Sequence, residues 1–374
     1  MRIGKERKCN AERAAGNATT CAPPGPCSAT HFCATFPRAA TSGLRQEETR
    51  GLIPTRPAYV PLAQLATQTS PILGAVMFGT DVGLDTSRGF PLLALPMRQL
   101  QPEPLAEVWF ATDRAHLSSR EGIALAESND LLFGALLLDG TELELVANDA
   151  YDRLIRVIRD CGFPHLLRMW NHVRDINADE RELEVYRRFC AGRHEAFQAH
   201  GYEHRTDLPA ASGVGMRDGR LAIYFLAGRA PATQVENPRQ MSAYDYPKQY
   251  GPKSPSFSRA TFLHDDAEAL VFVSGTASIV GHESLHVGDR DAQLEETLRN
   301  IDVVIASAAE RSGFHGSLAD VITAKTYIRH PSDYASIAAR LDTAFPHASK
   351  LYVESDICRA ELLLEIEAVA RLKR

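Results

Sequence analysis

Near its C-terminus the chain reads Cys358-Arg-Ala-Glu-Leu-Leu-Leu-Glu-Ile-Glu-Ala-Val-Ala370. On a strand, where side chains alternate with period two, Leu362, Leu364, Ile366 and Ala368 share one face. Leu363, Glu365, Glu367 and Val369 share the other, so two carboxylates emerge from an otherwise apolar strand. Taking a carboxyl out of water disfavours its ionised form, which raises its pKa towards the range useful for general acid work. The competing reading is that Glu365 and Glu367 mark the solvent face of an amphipathic strand.

This strand closes a unit that the chain contains twice. In the second copy the apolar run Leu270–Val273 leads into Ser274-Gly-Thr-Ala-Ser-Ile-Val-Gly281. A helix follows, with Leu294, Leu298, Ile301, Ile305 and Ala308 spaced to share one face. Then come a strand over 321–328, a helix over 332–344 introduced by Pro331, and a strand near 351–353. The first copy offers the same order: a strand over 131–138, a helix around 145–161, a strand over 166–173, a helix over 183–200, and strands over 211–216 and 221–227. The expected fold class is α+β, two tandem units, each a mixed sheet packed against two helices. Setting Leu221–Arg229 against Leu363–Arg371 places Ile223 opposite Glu365 and Phe225 opposite Glu367. The fold signal is duplicated and the carboxylates are not, which favours a functional Glu365.

The remainder bounds the problem. The chain has 374 residues, 44% hydrophobic and 24% charged, an ordinary globular composition long enough for about two domains. The net charge of −6 points to no nucleic-acid or anionic-membrane partner. No apolar run approaches the roughly 18 residues of a membrane span. Residues 1–55 read as a disordered extension without an apolar signal core, and Cys21, Cys27, Cys33 and His31 lack paired zinc-site spacing. Residues 56–235 and 236–374 are then the two domains. Cys161, Cys190 and Cys358 are widely scattered, as reduced thiols of a cytoplasmic protein would be. Between 51 and 105 only short strand-like runs at 72–78 and 91–95 are legible.

The segment joining the copies, 230–260, has the Pro, Gly and Ser content of a loop, yet it holds Tyr244, Tyr246, Tyr250, Lys248, Lys253 and Arg259. Loops held on a rigid scaffold are where binding groups concentrate.

The second copy resembles the RidA (YjgF) family in Pro255-Ser-Phe-Ser-Arg-Ala260, Val273-Ser-Gly275, the helix beginning at Gln293, Phe345-Pro346 and Glu365-Ile-Glu-Ala368. That resemblance implies small sheet-on-helix units, trimers with clefts between units, and a catalytic role for the first Glu of the terminal motif, here Glu365. The arginine that precedes the motif in imine-hydrolysing members has no clear counterpart; the chain offers Lys350 or Arg359. A closer resemblance, over roughly 105–374, is to the chorismatases, two-unit relatives of RidA that supply polyketide starter units and pigment hydroxybenzoates. It is carried by Arg168-Met-Trp-Asn171, Asp175-Ile-Asn177, Tyr186-Arg-Arg-Phe-Cys-Ala-Gly-Arg193, Val235-Glu-Asn-Pro-Arg-Gln240, Tyr250-Gly-Pro-Lys-Ser-Pro-Ser-Phe-Ser-Arg-Ala260, Ser274–Glu283 and Cys358-Arg359.

The chorismatase resemblance implies cleavage of the enolpyruvyl ether of chorismate by Glu365 as acid, with pyruvate and 3-hydroxybenzoate as products. A dienediol, or 4-hydroxybenzoate, is the alternative product. The product is decided at small residues near the ring, here Ala277 and Cys358. Two substrate carboxylates call for forked or cationic anchors. The candidates are Arg193, Lys253, Arg259 and Arg359, with Tyr186, Tyr246 and Tyr250 as neutral donors. The chemistry is acid-driven and redox-neutral, so no cofactor or metal is called for, and the chain is expected as a monomer or a homotrimer.

Three other readings compete. An imine deaminase would use the same Glu365, and a non-catalytic metabolite binder would use the same cleft. His282-Glu-Ser-Leu-His286 fits a zinc-protease signature, but that motif needs a helix and Gly288 follows at once. Gly213-Val-Gly215 is followed by Gly219, one position too late for a dinucleotide fingerprint.

Overall fold

The computed structural model describes residues 55–374, apart from 181, 203–206, 218, 219 and 266. The expectations for the first 54 residues, including Cys21, Cys27, Cys33 and His31, lie outside the described residues. Five strands come first: β1 (Thr55–Pro61), β2 (Ile72–Phe78), β3 (Gly83–Asp85), β4 (Leu92–Leu95) and β5 (Leu105–Ala111). They form one sheet in the order β1-β5-β2-β4-β3. The two legible runs become β2 and β4. The rest of this sheet is a correction to the sequence reading, hidden there because its strands are short and broken by Pro57, Pro61, Pro71 and Pro91.

The first repeated unit follows: β6 (His116–Arg120), β7 (Ile123–Glu127), β8 (Leu131–Asp139), α1 (Leu143–Asp160), β9 (His165–Arg174), a small hairpin of β10 (Asp179–Glu180) and β11 (Leu183–Glu184), α2 (Val185–Ala199), β12 (Ala210–Met216) and β13 (Arg220–Gly228). The second contains β14 (Thr233–Val235), β15 (Ala260–His264), β16 (Glu268–Thr276), a second hairpin of β17 (Ile279–Val280) and β18 (Glu283–Ser284), α3 (Arg290–Ser312), β19 (Val321–Ile328), α4 (Tyr334–Ala344), β20 (Ser349–Glu354) and β21 (Leu364–Lys373). Their sheets run β12-β9-β13-β8-β7-β6 and β14-β15-β16-β21-β19-β20. Read from opposite ends the two orders coincide. In each the last-formed strand inserts at the centre, and the parallel pair, β9 with β12 or β19 with β20, lies at one edge. The expected α+β architecture of two mixed sheets, each backed by two helices, is present.

Helix boundaries follow local chemistry. Asp289 caps α3 by accepting the Ala292 N–H at 3.0 Å, and Gly313 ends it with φ +72°. Leu294, Leu298, Ile301, Ile305 and Ala308 share a core with Leu364, Ile366, Ala368, Ala370 and Leu372 of β21. One face of β21 therefore covers the helices. Its other face turns towards the remaining sheets, where Val369 joins Trp109, Trp170, Tyr224, Phe272 and Tyr327 in a second core.

That division corrects the alignment of the two copies. Ile223 and Phe225 of β13 pack under α1 and α2, whereas Glu365 and Glu367 point away from the helices. With a side-chain period of two, an offset of one residue exchanges the faces. The residues of β13 on the face that carries the carboxylates in β21 are Ala222, Tyr224 and Leu226. The asymmetry survives the correction, since none of these is acidic.

The edge of β12 is tied to the second unit: Gly215 N–H donates to the Asp356 carbonyl at 2.7 Å, and Ala211 N–H to Ser274 Oγ at 2.9 Å. The chain between β4 and β5 lies along β20, with Leu100 N–H on the Tyr352 carbonyl at 3.0 Å. Among the described residues no helix is long and apolar enough to cross a membrane.

Candidate active site

Both carboxylates of β21 are buried: Glu365 is 4% exposed and Glu367 6%. This overturns the solvent-face reading. Their cross-strand partners on β19 are Tyr327 for Glu365 and Lys325 for Glu367. Two side chains on one face, two residues apart, thus meet opposite surroundings.

Glu367 is saturated with donors. Arg168 Nη2 reaches it at 2.9 Å, Trp170 Nε1 at 2.7 Å, Ser212 Oγ at 2.6 Å and Lys325 Nζ at 2.8 Å. Burial alone would raise this carboxyl, but Lys325 and Arg168, with the hydrogen bonds from Lys325 and Ser212, outweigh it and hold the pKa at about 2. Lys325 is itself fully buried and shared with Glu107 of β5 at 2.6 Å. Tyr224 OH and Trp109 Nε1 also donate to Glu107, each at 2.9 Å. Removing one partner of a buried ion cluster leaves the others desolvated without compensation. Lys325→Ala is therefore expected to lower unfolding free energy by about 3–5 kcal/mol, read as a fall in the denaturant midpoint.

Glu365 has no ion pair among the described residues, and its one hydrogen-bond contact is the Cys358 thiol, Sγ to Oε2 at 3.9 Å. Burial, and next the neighbouring Glu367 charge, push its pKa up to about 8. Arg168, Arg259 and Cys358 act the other way and are outweighed. Burial likewise raises the Cys358 thiol, so it is a neutral S–H.

The ladder between β16 and β21 is irregular between Val273 and Thr276, and Gly275 lies in that irregularity against Glu365. A Cβ at Gly275 would come within 1.9 Å of Glu365 Oε1 and 2.7 Å of its carboxyl carbon. A glycine here is what admits the carboxyl.

Glu365 opens onto a cavity of about 350 Å³. The second unit supplies Gly275, Ala277, Cys358, Arg359 and Glu361 to its wall, and the joining segment supplies Tyr246, Tyr250, Phe257 and Arg259. The first unit supplies Asn177, Tyr186 and Arg187. Arg259 and Arg359 line this space. Arg259 Nη2 binds Tyr246 OH at 2.8 Å and the Met241 carbonyl at 2.7 Å, while its buried Nε has no partner. Arg359 Nη1 binds the His282 carbonyl at 2.9 Å and Ser284 Oγ at 3.0 Å, while Nη2 has none. The Arg359 guanidinium also lies 4.0 Å from the Tyr250 ring centroid. The loop carrying Cys358 and Arg359 is clamped. Arg329 donates to the carbonyls of Arg359 and Leu362 at 3.0 and 2.8 Å, and Gln293 Oε1 accepts the Leu363 N–H at 2.8 Å.

Glu365, Tyr186, Tyr246, Tyr250, Arg259, Ala277, Cys358 and Arg359 are thus brought together. Arg193 and Lys253 are not. Arg193 is buried on α2 with its guanidinium 5.0 Å from the Phe189 ring, and Lys253 lies near His194. Lys350, an alternative anchor, pairs instead with Asp342 at 3.1 Å. The zinc-type signature spans the β17–β18 hairpin; His282 meets Tyr250 OH at 3.2 Å, His286 has φ +58°, and α3 starts only at Arg290. The helical geometry that motif needs is not there.

The chain is similar to known proteins over both repeated units. Residues 107–227 match the family model described as chorismatase FkbO/Hyg5-like, N-terminal, and residues 254–372 match the one described as endoribonuclease L-PSP. A 3-hydroxybenzoate synthase of Streptomyces hygroscopicus is 39% identical over 311 residues, spanning 80% of this chain and 91% of the relative. The chain belongs to the chorismatase family. A chorismatase of Streptomyces rapamycinicus is also 39% identical, over 313 residues, with 80% and 92% covered. A chorismatase crystal structure superposes with a TM-score of 0.79 at 32% identity, covering 84% of this chain and 98% of that one.

What the sequence reading missed in this chorismatase-family chain is the support beneath the two carboxylates of β21. Arg168, Trp170 and Gly275 lie inside the blocks that carry the resemblance, but nothing in those blocks says that they hold carboxylates. Lys325 had a usable signal: a lone cation inside the apolar run over 321–328, whose strand neighbour carries the acids.

Proposed function

We propose that this chain cleaves the 3-enolpyruvyl ether of chorismate, with Glu365 as the general acid, and releases pyruvate and 3-hydroxybenzoate. The observation that carries the reading is a buried carboxyl, without an ion pair among the described residues, that opens with Arg259 and Arg359 onto one cavity.

Breaking a vinyl ether begins with a proton delivered to the terminal methylene carbon, which leaves an oxocarbenium-like cation. Glu365 holds such a proton near neutral pH. Once it has given the proton up, its carboxylate lies beside the cation and stabilises it. Arg259 and Arg359, both on the cavity wall, are the candidates for the two substrate carboxylates. Of the acidic residues on the rim, Glu184 is paired with Arg187 at 3.0 Å and Glu361 accepts from Ser284 Oγ at 2.7 Å. If the ring captures the cation internally and then aromatises, 3-hydroxybenzoate and pyruvate together hold every atom of chorismate. Capture by water gives the dienediol instead. Ala277 and Cys358 line the wall beside the acid, and Cys358 favours the aromatic product.

The division of labour follows the two proposed domains, 56–235 and 236–374, with β14 joining the second: that one carries the acid, and residues 177–187 of the first complete the wall. Both walls come from one chain, which favours a site complete in the monomer. The free thiols Cys161, Cys190 and Cys358 fit a cytoplasmic setting.

The test is to incubate purified protein with chorismate across pH 6–10 and to separate the products by chromatography. Pyruvate with 3-hydroxybenzoate is expected. Because the acid form is required, kcat should be flat below pH 8 and fall about tenfold per pH unit above it. Pyruvate with a dienediol would overturn the product, and no consumption of chorismate would overturn the reaction.

A further inference from the structure

A buried carboxylate with five donors, Tyr327 OH at 3.4 Å being the fifth, and a pKa of about 2 does no proton chemistry at neutral pH. Glu367 nevertheless shares its strand face with the acid, about 7 Å along the strand. Its cradle draws on every sheet: Lys325 from β19, Arg168 and Trp170 from β9, Ser212 from β12 and, through Lys325, Glu107 from β5. Lys325 and Arg168 thus face the two carboxyls of Glu107 and Glu367 in one cluster. His172, close by with its pKa lowered by burial and then by Lys325 to about 3, adds no charge.

The cluster is also joined to the acid. Ser212 Oγ donates to Glu367, and accepts from Arg168 Nη2 at 2.6 Å and from Gly275 N–H at 3.1 Å. Gly275 is the residue against which the Glu365 carboxyl rests.

We propose that Glu367 is a positioning residue of this site, a fixed anion that adds to burial in keeping Glu365 protonated between turnovers, and that Lys325 and Arg168 serve to keep that anion ionised. The proposal rests on the reading of Glu365 as the acid. Other groups face Glu365 from each packed element: Arg168 from β9, Arg259 at the start of β15, Tyr327 from β19 and Cys358 from the loop before β21, with Arg359 and Glu361 across the cavity. The arginines favour ionisation of Glu365. The Glu367 charge opposes them, in addition to burial, which is the larger effect. Two unit charges some 7 Å apart in a protein interior alter a pKa by about one to two units.

The decisive measurement is the titration of the Glu365 carboxyl itself, by difference infrared spectroscopy, with the band identified by its loss in Glu365→Gln. In the unaltered protein it should be half-protonated near pH 8. In Glu367→Gln the band should titrate about one to two pH units lower, and the alkaline limb of chorismate turnover should move with it. Glu367→Asp keeps the anion and should restore the titration towards pH 8. Should Glu367→Gln fail to fold, Lys325→Met with Glu367→Gln removes the pair as a neutral unit, which buried sites tolerate better, and the same downward shift is expected. An unmoved Glu365 band in the Gln variants would overturn the proposal, as would an equal shift in Glu367→Asp. A band that moves as expected in protein that consumes no chorismate supports the electrostatic assignment and overturns the functional reading instead.

Discussion

Glu365→Gln is expected to lower chorismate turnover by about 10²- to 10⁴-fold, the usual worth of a positioned general acid. The amide matches the carboxyl in shape, so the wall of the cavity and its arginines stay in place, and KM should change little. The loss belongs in kcat, because the missing proton is needed only on the way to the oxocarbenium-like state. No partner charge is stranded by the change, since Glu365 makes no ion pair among the described residues. Thermal stability should hold or rise. Steady-state kinetics beside a melting curve separates the two effects. A loss of kcat accompanied by a collapsed melting temperature would mean that Glu365 is structural. An unchanged kcat would remove it from the chemistry.

Gly275→Ala should be nearly as damaging while leaving every ionisable group present. The new methyl would lie 1.9 Å from Glu365 Oε1 and 3.1 Å from Ser212 Oγ. Gly275 has no positive φ, so the backbone accepts alanine and the conflict falls on the side chains. Ser212 is pinned by Arg168 and Glu367, which leaves Glu365 to move. A displacement of about 1 Å in a catalytic group costs on the order of 10²-fold in rate. The expected result is a kcat reduced about 100-fold with a cooperative melt retained. Kinetics at wild-type level in Gly275→Ala would show that the position of the acid is not tightly set.

The order of elements in both repeats was legible because the apolar periodicity is strong and the helices carry clear end signals, such as Pro331 before α4 and Gly313 after α3. The relation between the repeats was legible only to within one residue. A strand buried on both faces gives no alternation to fix its phase, and β13 is such a strand: Leu221–Ala227 is buried throughout. Charge was a poor guide to the wall of the cavity. Arg193 and Arg259 look equivalent as letters, but Arg193 projects from α2 into packed aromatic side chains while Arg259 opens β15 at the cavity. Glu107 was out of reach altogether. It lies more than 200 positions from Lys325 in sequence, on a strand that, like its neighbour β1, is not legible in the sequence. Long-range polar contacts of this kind leave no local pattern, because only the folded sheets bring the partners together.

The two walls of the cavity are written into different stretches of one gene product, with Tyr186 and Asn177 in the first repeat and Glu365 and Arg359 in the second. In a ring of identical chains, any substitution would appear on both sides of every cleft at once. Here each side can change alone. Selection can reshape the surface that meets the ring of the substrate without touching the acid, and the first repeat, freed from carrying a carboxylate of its own, has Tyr224 on the corresponding strand face to help hold the charges beneath the other.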